Sequence, residues 1–157
     1  MKEHKTLQNQ FSWLPQDKRA SRFGGAKPPR KSETRRPALW LARKKNELYL
    51  VNSSEDILDF VIADGSGFHT EGDNVSTVAN KEKYEYKNVE PDTAVKIDEY
   101  DDFYDCDYIL QVTARVQSKN LGCIEITSAS KKGGVGEAVL LWNTDEKGKS
   151  VSVNRRN

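Results

Sequence analysis

The chain has 157 residues, of which 36% are hydrophobic and 31% are charged, and its net charge at pH 7 is +1. This length suits one folded domain with an additional segment, and the low apolar content predicts a small core or a part that does not fold. The sequence contains no apolar run long enough for a membrane-spanning helix, and its first ten residues lack the apolar stretch of a signal peptide. We therefore expect a soluble cytoplasmic protein with no membrane partner.

The two signs of charge are separated along the chain. Residues 1–45 contain 13 Lys or Arg and 3 Asp or Glu, a net charge of +10, whereas residues 46–153 contain 10 and 21, a net charge of −11. This asymmetry is typical of a basic tail joined to an acidic body. The two cysteines, Cys106 and Cys123, form no CxxC pair, and two histidines are too few for an obvious zinc site. We predict no metal site, no cofactor and a reducing compartment.

Residues 1–37 are predicted to form a basic and largely disordered arm, because Gly and Pro pairs interrupt regular structure and apolar residues are sparse. The exceptions are Phe11, Trp13 and Leu14. These side chains either pack back on the body and cover a sheet edge, or insert into a pocket of a partner, and the sequence favours neither. A short helix over residues 2–14 is a further expectation.

The arm also supports a second functional hypothesis, in which the protein associates with RNA or ribosomes. Lys and Arg side chains among Gly and Pro can follow a phosphate backbone without a fixed fold. The alternative is a solubilising tail, or a tail that docks on the acidic body. The residues predicted to contact nucleic acid are Lys18, Arg19, Arg22, Arg30, Lys31, Arg35 and Arg36.

Residues 38–153 are predicted to form an all-β domain, an antiparallel β-sandwich of seven or eight strands, followed by a tail at 154–157. The clearest strand is Tyr108–Gln117, in which apolar side chains alternate with mostly polar ones. No long amphipathic helix separates the strands, which favours an antiparallel sandwich or barrel over a βαβ arrangement. Further strands are predicted in 38–52 (a pair or one long strand), 57–63, 75–78, 83–89, 93–98, 123–127, 138–142 and 151–153.

Two stretches of this domain resemble immunoglobulin-like sandwiches. An Asn-Ser turn follows the first strand in LYLVNSSEDILDFVI, residues 48–62, and a Pro turn precedes a Val-x-Ile strand in VEPDTAVKI, residues 89–97. The resemblance implies an immunoglobulin-like fold. It implies no activity, because many unrelated functions use this architecture.

Residues 98–107 carry six acids in ten residues and lack the order of a calcium-binding loop. The simplest interpretation is a solvated loop between two strands. The aromatic residues among the acids either hold the loop to the core or form a patch with an acidic rim that binds a basic partner. Together with the aromatic residues of the arm, the predicted partner-binding residues are Phe11, Trp13, Leu14, Tyr100, Asp101, Asp102, Phe103, Tyr104 and Asp105.

The remaining motifs do not indicate catalysis. The glycine-rich residues 131–136 lack the order of a phosphate-binding loop and are predicted to form a mobile hairpin loop. Neither cysteine neighbours a histidine, and pairing about residues 119–120 would place Cys123 opposite Val116. The leading hypothesis is therefore a non-enzymatic protein-interaction module, with RNA association as the alternative. A third hypothesis is an acidic decoy that competes with nucleic acid for a basic protein.

Overall fold

The computed structural model describes residues 4–13, 34–71, 74–78, 83–101, 103, 106 and 108–156, and the side chains of these residues apart from 67–78 and 156. Every regular element in the described residues is a β-strand, so the all-β prediction is confirmed. In chain order the strands are β1 (Thr6–Gln8), β2 (Pro37–Lys44), β3 (Glu47–Asn52), β4 (Leu58–Glu71), β5 (Asn74–Val78), β6 (Tyr84–Val89), β7 (Thr93–Glu99), β8 (Ile109–Ser118), β9 (Gly122–Thr127), β10 (Lys131–Lys132), β11 (Ala138–Trp142) and β12 (Ser152–Arg156).

The strands form two antiparallel sheets. Sheet A has the order β1-β7-β3-β2-β11, and sheet B has the order β12-β9-β8-β4-β5, with β10 paired to β8 and β6 paired to β4. The inner faces of the two sheets share one core, because buried side chains from both belong to a single contact cluster. Representative members of this core are Leu39, Leu50, Ile97, Val61, Val116 and Ile126.

Strand β8 confirms the alternation that the sequence predicts. Leu110, Val112, Ala114 and Val116 are buried, and the residues between them are half-buried. A strand with one face on the core and one towards solvent has this period of two. The predicted hairpin to β9 is present, and Ile124 and Ile126 point inward as expected.

The predicted register of this hairpin is wrong by one residue. Cys123 pairs with Gln117, not with Val116, because Gly122 already pairs with Ser118. The loop therefore has three residues, 119–121, and Gly122 after it adopts a φ of +69°, a left-handed conformation that suits glycine.

Strand β4 is longer than predicted. It continues past residue 63, where the predicted strand ends, and reaches Glu71. One edge of β4 pairs with β8 as far as Phe68. The other edge pairs with β6 over residues 58–63 and with β5 over residues 67–71. Pairing with β8 keeps Gly65 extended, and pairing with both β8 and β5 keeps Gly67 extended, although glycine usually weakens a strand.

Sheet A is covered on both faces. Its outer face carries Trp40, Ala42, Tyr49, Val51 and Ala94, all of which are buried. Residues 4–13, here called the strap, lie over this face, and the half-buried side chains that cover it are Leu7, Phe11 and Trp13.

The strap begins as an edge strand and then crosses the sheet. Thr6, Leu7 and Gln8 pair with β7, and the Asn9 N–H donates to the Asp92 carbonyl at 2.9 Å. Asn9 has a φ of +54°, which asparagine tolerates better than most residues, and this conformation ends the strand. The helix expected over residues 2–14 is therefore wrong for the described residues 4–13. Residues 1–3 and 14–33, most of the predicted arm, lie outside the described residues.

Two further segments differ from their predicted form. The Gly-rich segment is not a free hairpin loop, since Lys131 and Lys132 pair with β8 and the Gly133 N–H donates to the Tyr108 carbonyl at 2.9 Å. Strand β12 pairs with β9 through Arg156, so it continues into the residues predicted as a tail. Sheet B therefore includes β10 beside the first residues of β8, and β12 beside β9 as far as Arg156.

The alternation in β8 yields a matched test. Val116→Thr places a hydroxyl in the core at a position that is 0% exposed, and should lower the free energy of unfolding by about 1–3 kcal/mol. Gln117→Thr, on the other face of the same strand, should change it by less than about 0.5 kcal/mol. Urea denaturation of both variants measures this, and equal losses would contradict the assigned faces.

Candidate functional site

The acidic segment between β7 and β8 is a loop held at both of its ends. Tyr100 is 3% exposed and belongs to the core shared by the two sheets, and its N–H donates to the Asn46 carbonyl at 2.8 Å. At the other end, the Tyr108 carbonyl accepts the Gly133 N–H, and the Tyr108 side chain packs against the same core. For Tyr100, the structure favours the interpretation of a core contact over that of a binding patch.

Between these two points the loop presents an exposed tip. Phe103 is 79% exposed, and its N–H donates to Asp101 Oδ1 at 2.8 Å, a local bond of the kind that aspartate makes in turns. The Cys106 thiol is exposed and donates to the Phe103 carbonyl at 3.3 Å. Asp101, Phe103 and Cys106 thus form a locally bonded turn, here called the tip, which carries a phenyl ring in water.

The Tyr100 ring fixes the base of the tip. Burial, together with the Asp98 carboxylate beside it, raises the pKa of the Tyr100 hydroxyl above its usual value of 10.0. The Arg43 guanidinium lies 4.9 Å from the centre of the ring, a cation–π distance. Gly134 has a φ of +114°, and a Cβ built there would lie 2.7 Å from the ring. The ring therefore packs so closely on Gly134 that no larger residue fits there.

Trp142, the last residue of β11, lies at the opposite end of the two-sheet body and contacts two other segments of the chain. The Trp13 ring meets the Trp142 ring edge-on, with 5.4 Å between centroids, and the Arg35 guanidinium lies 4.1 Å from the same ring. Arg35 also pairs with Glu146 at 3.2 Å. Trp142 is thus contacted by Trp13, the last described residue before 14–33, and by Arg35, the second described residue after it.

An open groove of about 430 Å³ adjoins Trp142. It is lined largely by polar side chains, including Arg36, Ser54 and Asp56. Two of its walls are fixed by hydrogen bonds: the Asn120 N–H donates to Asp56 Oδ2 at 3.1 Å, and Asn52 holds the turn that carries Ser54. The groove is thus a formed surface feature at the end of the body remote from the tip.

A cluster of ion pairs lies where the strap joins sheet A. Lys96 has a side chain that is 1% exposed, and its Nζ lies 3.1 Å from Glu47 Oε2 and 3.0 Å from Glu99 Oε2. Lys5 of the strap pairs with the same Glu47 oxygen at 2.8 Å. A buried ammonium needs such partners, because it has lost its water.

The ionisation of this cluster indicates a structural role. Burial alone would lower the pKa of Lys96, but the Glu99 and Glu47 carboxylates outweigh it and raise the pKa. Burial alone would raise the pKa of Glu47, but hydrogen bonds from Lys5 and Lys96 outweigh it and lower the pKa. Both groups are therefore held in their charged forms at neutral pH, unlike a general base or a nucleophile, which needs a pKa near the working pH.

Two tyrosines of β6, a strand of sheet B, lie beside this cluster of ion pairs. The Tyr86 hydroxyl donates to the Lys96 carbonyl at 2.6 Å and accepts the Lys5 N–H at 3.2 Å, and burial raises its pKa to about 12. His4 lies between the Tyr84 and Tyr86 rings and accepts the Glu85 N–H at 3.2 Å through Nε2. The beginning of the strap thus contacts both sheets on this side of the body.

The structure separates the residues that the sequence grouped as a binding site. Tyr100 lies in the core, Asp101 and Phe103 lie at the tip, and Phe11 and Trp13 cover the outer face of sheet A. Of the predicted nucleic-acid contacts, Arg35 and Arg36 lie near Trp142. The other predicted contacts, both for a protein partner and for nucleic acid, lie outside the described residues: Leu14, Asp102, Tyr104, Asp105, Lys18, Arg19, Arg22, Arg30 and Lys31.

Several residues that organise these surfaces had no clear signal in the sequence. Trp142 ends an apolar strand and therefore resembles an ordinary core residue, and Lys96 occupies an alternating position of a strand whose other face is apolar. Glu47 follows the turn at Lys45 and resembles a solvated charge. Their roles arise from strap contacts that are distant in sequence.

No protein-family model, curated protein or solved structure matches the chain. Within the described ranges, no group of three or more His, Cys, Asp or Glu side chains is placed to hold a metal ion. The same part of the chain contains no helix with the length and apolar character needed to cross a membrane. Function is therefore inferred from the surfaces described above.

The contact between Gly134 and Tyr100 can be tested directly. Gly134→Ala should lower the free energy of unfolding by about 2–4 kcal/mol, because the new methyl group overlaps the ring and the backbone is left-handed. Gly122→Ala also has a positive φ but meets no atom within 4 Å, and should cost about 1 kcal/mol. Thermal or urea unfolding compares the two variants; a similar loss in both would show that Tyr100 does not pack as described.

The cluster at Lys96 predicts a pH-dependent effect. Glu47→Gln should lower the free energy of unfolding at pH 7 by about 1–3 kcal/mol, because Lys96 loses a charged partner. The folded pKa of Glu47 is lowered, so this contribution is present above its unfolded pKa near 4.5 and is lost as the pH falls through the folded pKa. The gap between wild type and variant should therefore close below pH 4.5.

A matched control for this measurement is Glu146→Gln, which removes a more exposed carboxylate from its pair with Arg35. Exposed pairs contribute little, so this variant should change stability by less than about 1 kcal/mol at any pH. Urea denaturation from about pH 3 to pH 8 gives both curves. A Glu47→Gln gap that stays constant across this range would contradict the assignment.

Proposed function

We propose that this protein is a non-enzymatic interaction module that binds a basic macromolecular partner, most directly a protein, through the tip at Asp101, Phe103 and Cys106. The observation that carries the proposal is the contrast within one loop. Tyr100 is 3% exposed and fixed in the core, whereas Phe103, three residues later, is 79% exposed. A phenyl ring held in water on a supported turn resembles the aromatic centre of a small interface.

The geometry of the loop reduces the entropic cost of binding at the tip. Its base is held by Tyr100, by Arg43 over the Tyr100 ring and by the bond from Gly133 to Tyr108. The turn itself carries the bonds from Phe103 to Asp101 and from Cys106 to Phe103. A partner that covers the ring therefore has to fix few additional torsion angles of the loop. The smaller loss of conformational entropy favours affinity.

Charge supports a basic partner. Residues 46–153 carry a net charge of −11, and six of their 21 acidic residues lie in the segment 98–107. A negative field around an exposed aromatic group speeds encounter with a positively charged surface and discourages phosphate-rich ones. The proposed interface is thus an aromatic contact with an acidic surround.

We propose further that the body is an immunoglobulin-like sandwich. In that fold one sheet has the neighbours A-B-E and the other C-F-G. The orders β2-β3-β7 and β4-β8-β9 support this comparison, with β2, β3 and β7 in the places of A, B and E, and β4, β8 and β9 in the places of C, F and G. The fold alone implies no activity.

Association with RNA or ribosomes through the basic arm stays a prediction. Of its proposed contacts, the structure describes Arg35 and Arg36. Arg35 is engaged by Trp142 and Glu146, and Arg36 borders the groove of about 430 Å³. These contacts use Arg35 to hold the chain on the body, so they support the protein-binding proposal more than the alternative.

A cytoplasmic setting remains part of the proposal. Cys106 and Cys123 are both free thiols, and Cys106 is exposed. Exposed thiols persist most readily in a reducing compartment, which supports this setting.

The proposal predicts that one ring dominates partner binding. Phe103→Ala should reduce recovery of the partner at least tenfold, because truncating a central aromatic contact typically costs about 2 kcal/mol or more. Ile57→Ala is the matched control, since Ile57 is a second large hydrophobic side chain with high exposure, 51%, and lies at the opposite end of the body. The measurement is quantitative mass spectrometry of proteins co-purified from the native host with each tagged full-length chain.

The outcome that would contradict the proposal is recovery of the same proteins in the same amounts with both variants. The partner recovered by wild type should also be released at high salt, since exposed charges are screened at distances beyond about 8 Å at physiological ionic strength. Retention of the partner by Phe103→Ala and its loss from Ile57→Ala would move the interface to the other end of the body.

A further inference from the structure

We propose that the outer face of sheet A is a peptide-docking site, that the strap is its resident occupant, and that an extended segment of a partner protein with the same chemistry can replace the strap. This surface is separate from the tip and does not depend on the function proposed for it. The partner segment would carry a basic residue, an apolar residue two positions later, and aromatic residues six and eight positions later, as Lys5, Leu7, Phe11 and Trp13 do.

The outer face resembles a preformed site more than an ordinary solvated sheet. Its buried side chains include two large aromatic ones, Trp40 at 2% exposure and Tyr49 at 1%. Trp40 is oriented by a bond from its indole nitrogen to Ser53 Oγ at 2.9 Å, and Tyr49 by a bond from its hydroxyl to Glu47 Oε1 at 3.2 Å. An apolar face of this kind must be covered by something.

The strap contacts this face at separate points, each of which defines a chemical requirement. Lys5 meets the Glu47 carboxylate at 2.8 Å, which calls for a cation. The Phe11 ring lies 5.4 Å from the Tyr49 ring and the Trp13 ring 5.4 Å from the Trp142 ring, between centroids, which calls for aromatic residues. Spaced side-chain contacts combined with edge-strand pairing are the usual way in which a sheet recognises an extended peptide.

The backbone attachment of the strap is short. Three residues, Thr6 to Gln8, pair with β7, with the Lys96 N–H donating to the Lys5 carbonyl at 3.0 Å and the Asn9 N–H to the Asp92 carbonyl at 2.9 Å. A cleft of about 170 Å³ borders β1 where it approaches β6. The strap side chains that face the sheet, Lys5, Leu7, Phe11 and Trp13, are half-buried, whereas the apolar side chains beneath them are almost fully buried. Segments with few pairs and half-buried contacts open locally at a lower free energy than the core does.

Removal of the strap would leave β7 with a free edge and the Lys96 cluster with one fewer charged neighbour. The edge would present N–H and C=O groups that an incoming strand can pair. Glu47 would keep Lys96 but lose Lys5, so it would still attract a cation from the incoming segment. The proposed site therefore consists of the Glu47 carboxylate, the edge of β7, and the aromatic rings of Tyr49 and Trp142.

The direct test adds the strap as a separate molecule. A fluorescein-labelled peptide with the sequence of residues 4–13 is titrated into wild type and into the full-length Phe11→Ser/Trp13→Ser variant, with fluorescence polarisation as the readout. The tethered strap competes at an effective concentration on the order of 1 mM, so the peptide should bind the variant at least tenfold more tightly than wild type. A peptide with Phe and Trp replaced by Ser is the matched control.

Three results would overturn the proposal. The folded variant could fail to bind the peptide up to about 1 mM, or it could bind the control peptide equally well. Alternatively, wild type could form a dimer whose population grows with concentration and is lost in the Phe11→Ser/Trp13→Ser variant. That result would assign the face to the strap of a second copy, in place of a partner protein.

A measurement on wild type alone covers the case in which the variant does not fold. Native-state hydrogen exchange compares the Lys96 N–H and the Asn9 N–H, whose bonds depend on the strap, with the Ser53 N–H, which donates to the Ala38 carbonyl within sheet A. We expect the first two amides to share one protection factor, at least a hundredfold below that of Ser53. Equal protection of all three would show that the strap opens only with the whole protein, and would refute replacement by a peptide.

Discussion

Burial of both faces of sheet A is the constraint on which the structure depends. Its inner face packs on sheet B, but its outer face also carries tryptophan, tyrosine and valine, which no second sheet of the described chain covers. The strap covers this face, and its attachment requires a cationic pair at Glu47, three paired residues on β7 and ring contacts at Tyr49 and Trp142. The strap is thus part of the fold, and the basic segment after Trp13 begins from a fixed point.

The two ends of the body differ in the side chains that they carry. At one end, the acidic loop is supported by the buried Tyr100 and presents Phe103 to solvent. At the other end, Trp142 contacts Trp13 and Arg35. The exposed ring of Phe103 and the contact between Trp13 and Trp142 therefore lie at opposite ends of one body.

Strand periodicity predicted most of the fold, because each strand with one buried face carries its own signal. The alternation in β8 identified the buried Val112 and Val116, and the apolar parity of 123–127 identified β9. Local patterns failed where strand pairing overrules them, as in β4, where Gly65 pairs with β8 and Gly67 pairs with β8 and β5. They also failed for the Lys96 cluster and for Trp142, because partners such as Glu47, Lys5 and Trp13 are distant from them in sequence. For Phe11 and Trp13 the sequence named both possible roles, and only the fold places the rings on Tyr49 and Trp142.

The most direct test of the central claim is a nuclear Overhauser measurement on the wild-type protein in solution. If the strap covers sheet A, the Phe11 ring protons should show cross-peaks to the Tyr49 ring, and the Trp13 indole protons should show cross-peaks to the Trp142 indole, since both pairs of centroids are 5.4 Å apart. Absence of both sets of cross-peaks, with random-coil chemical shifts for residues 4–13, would contradict it.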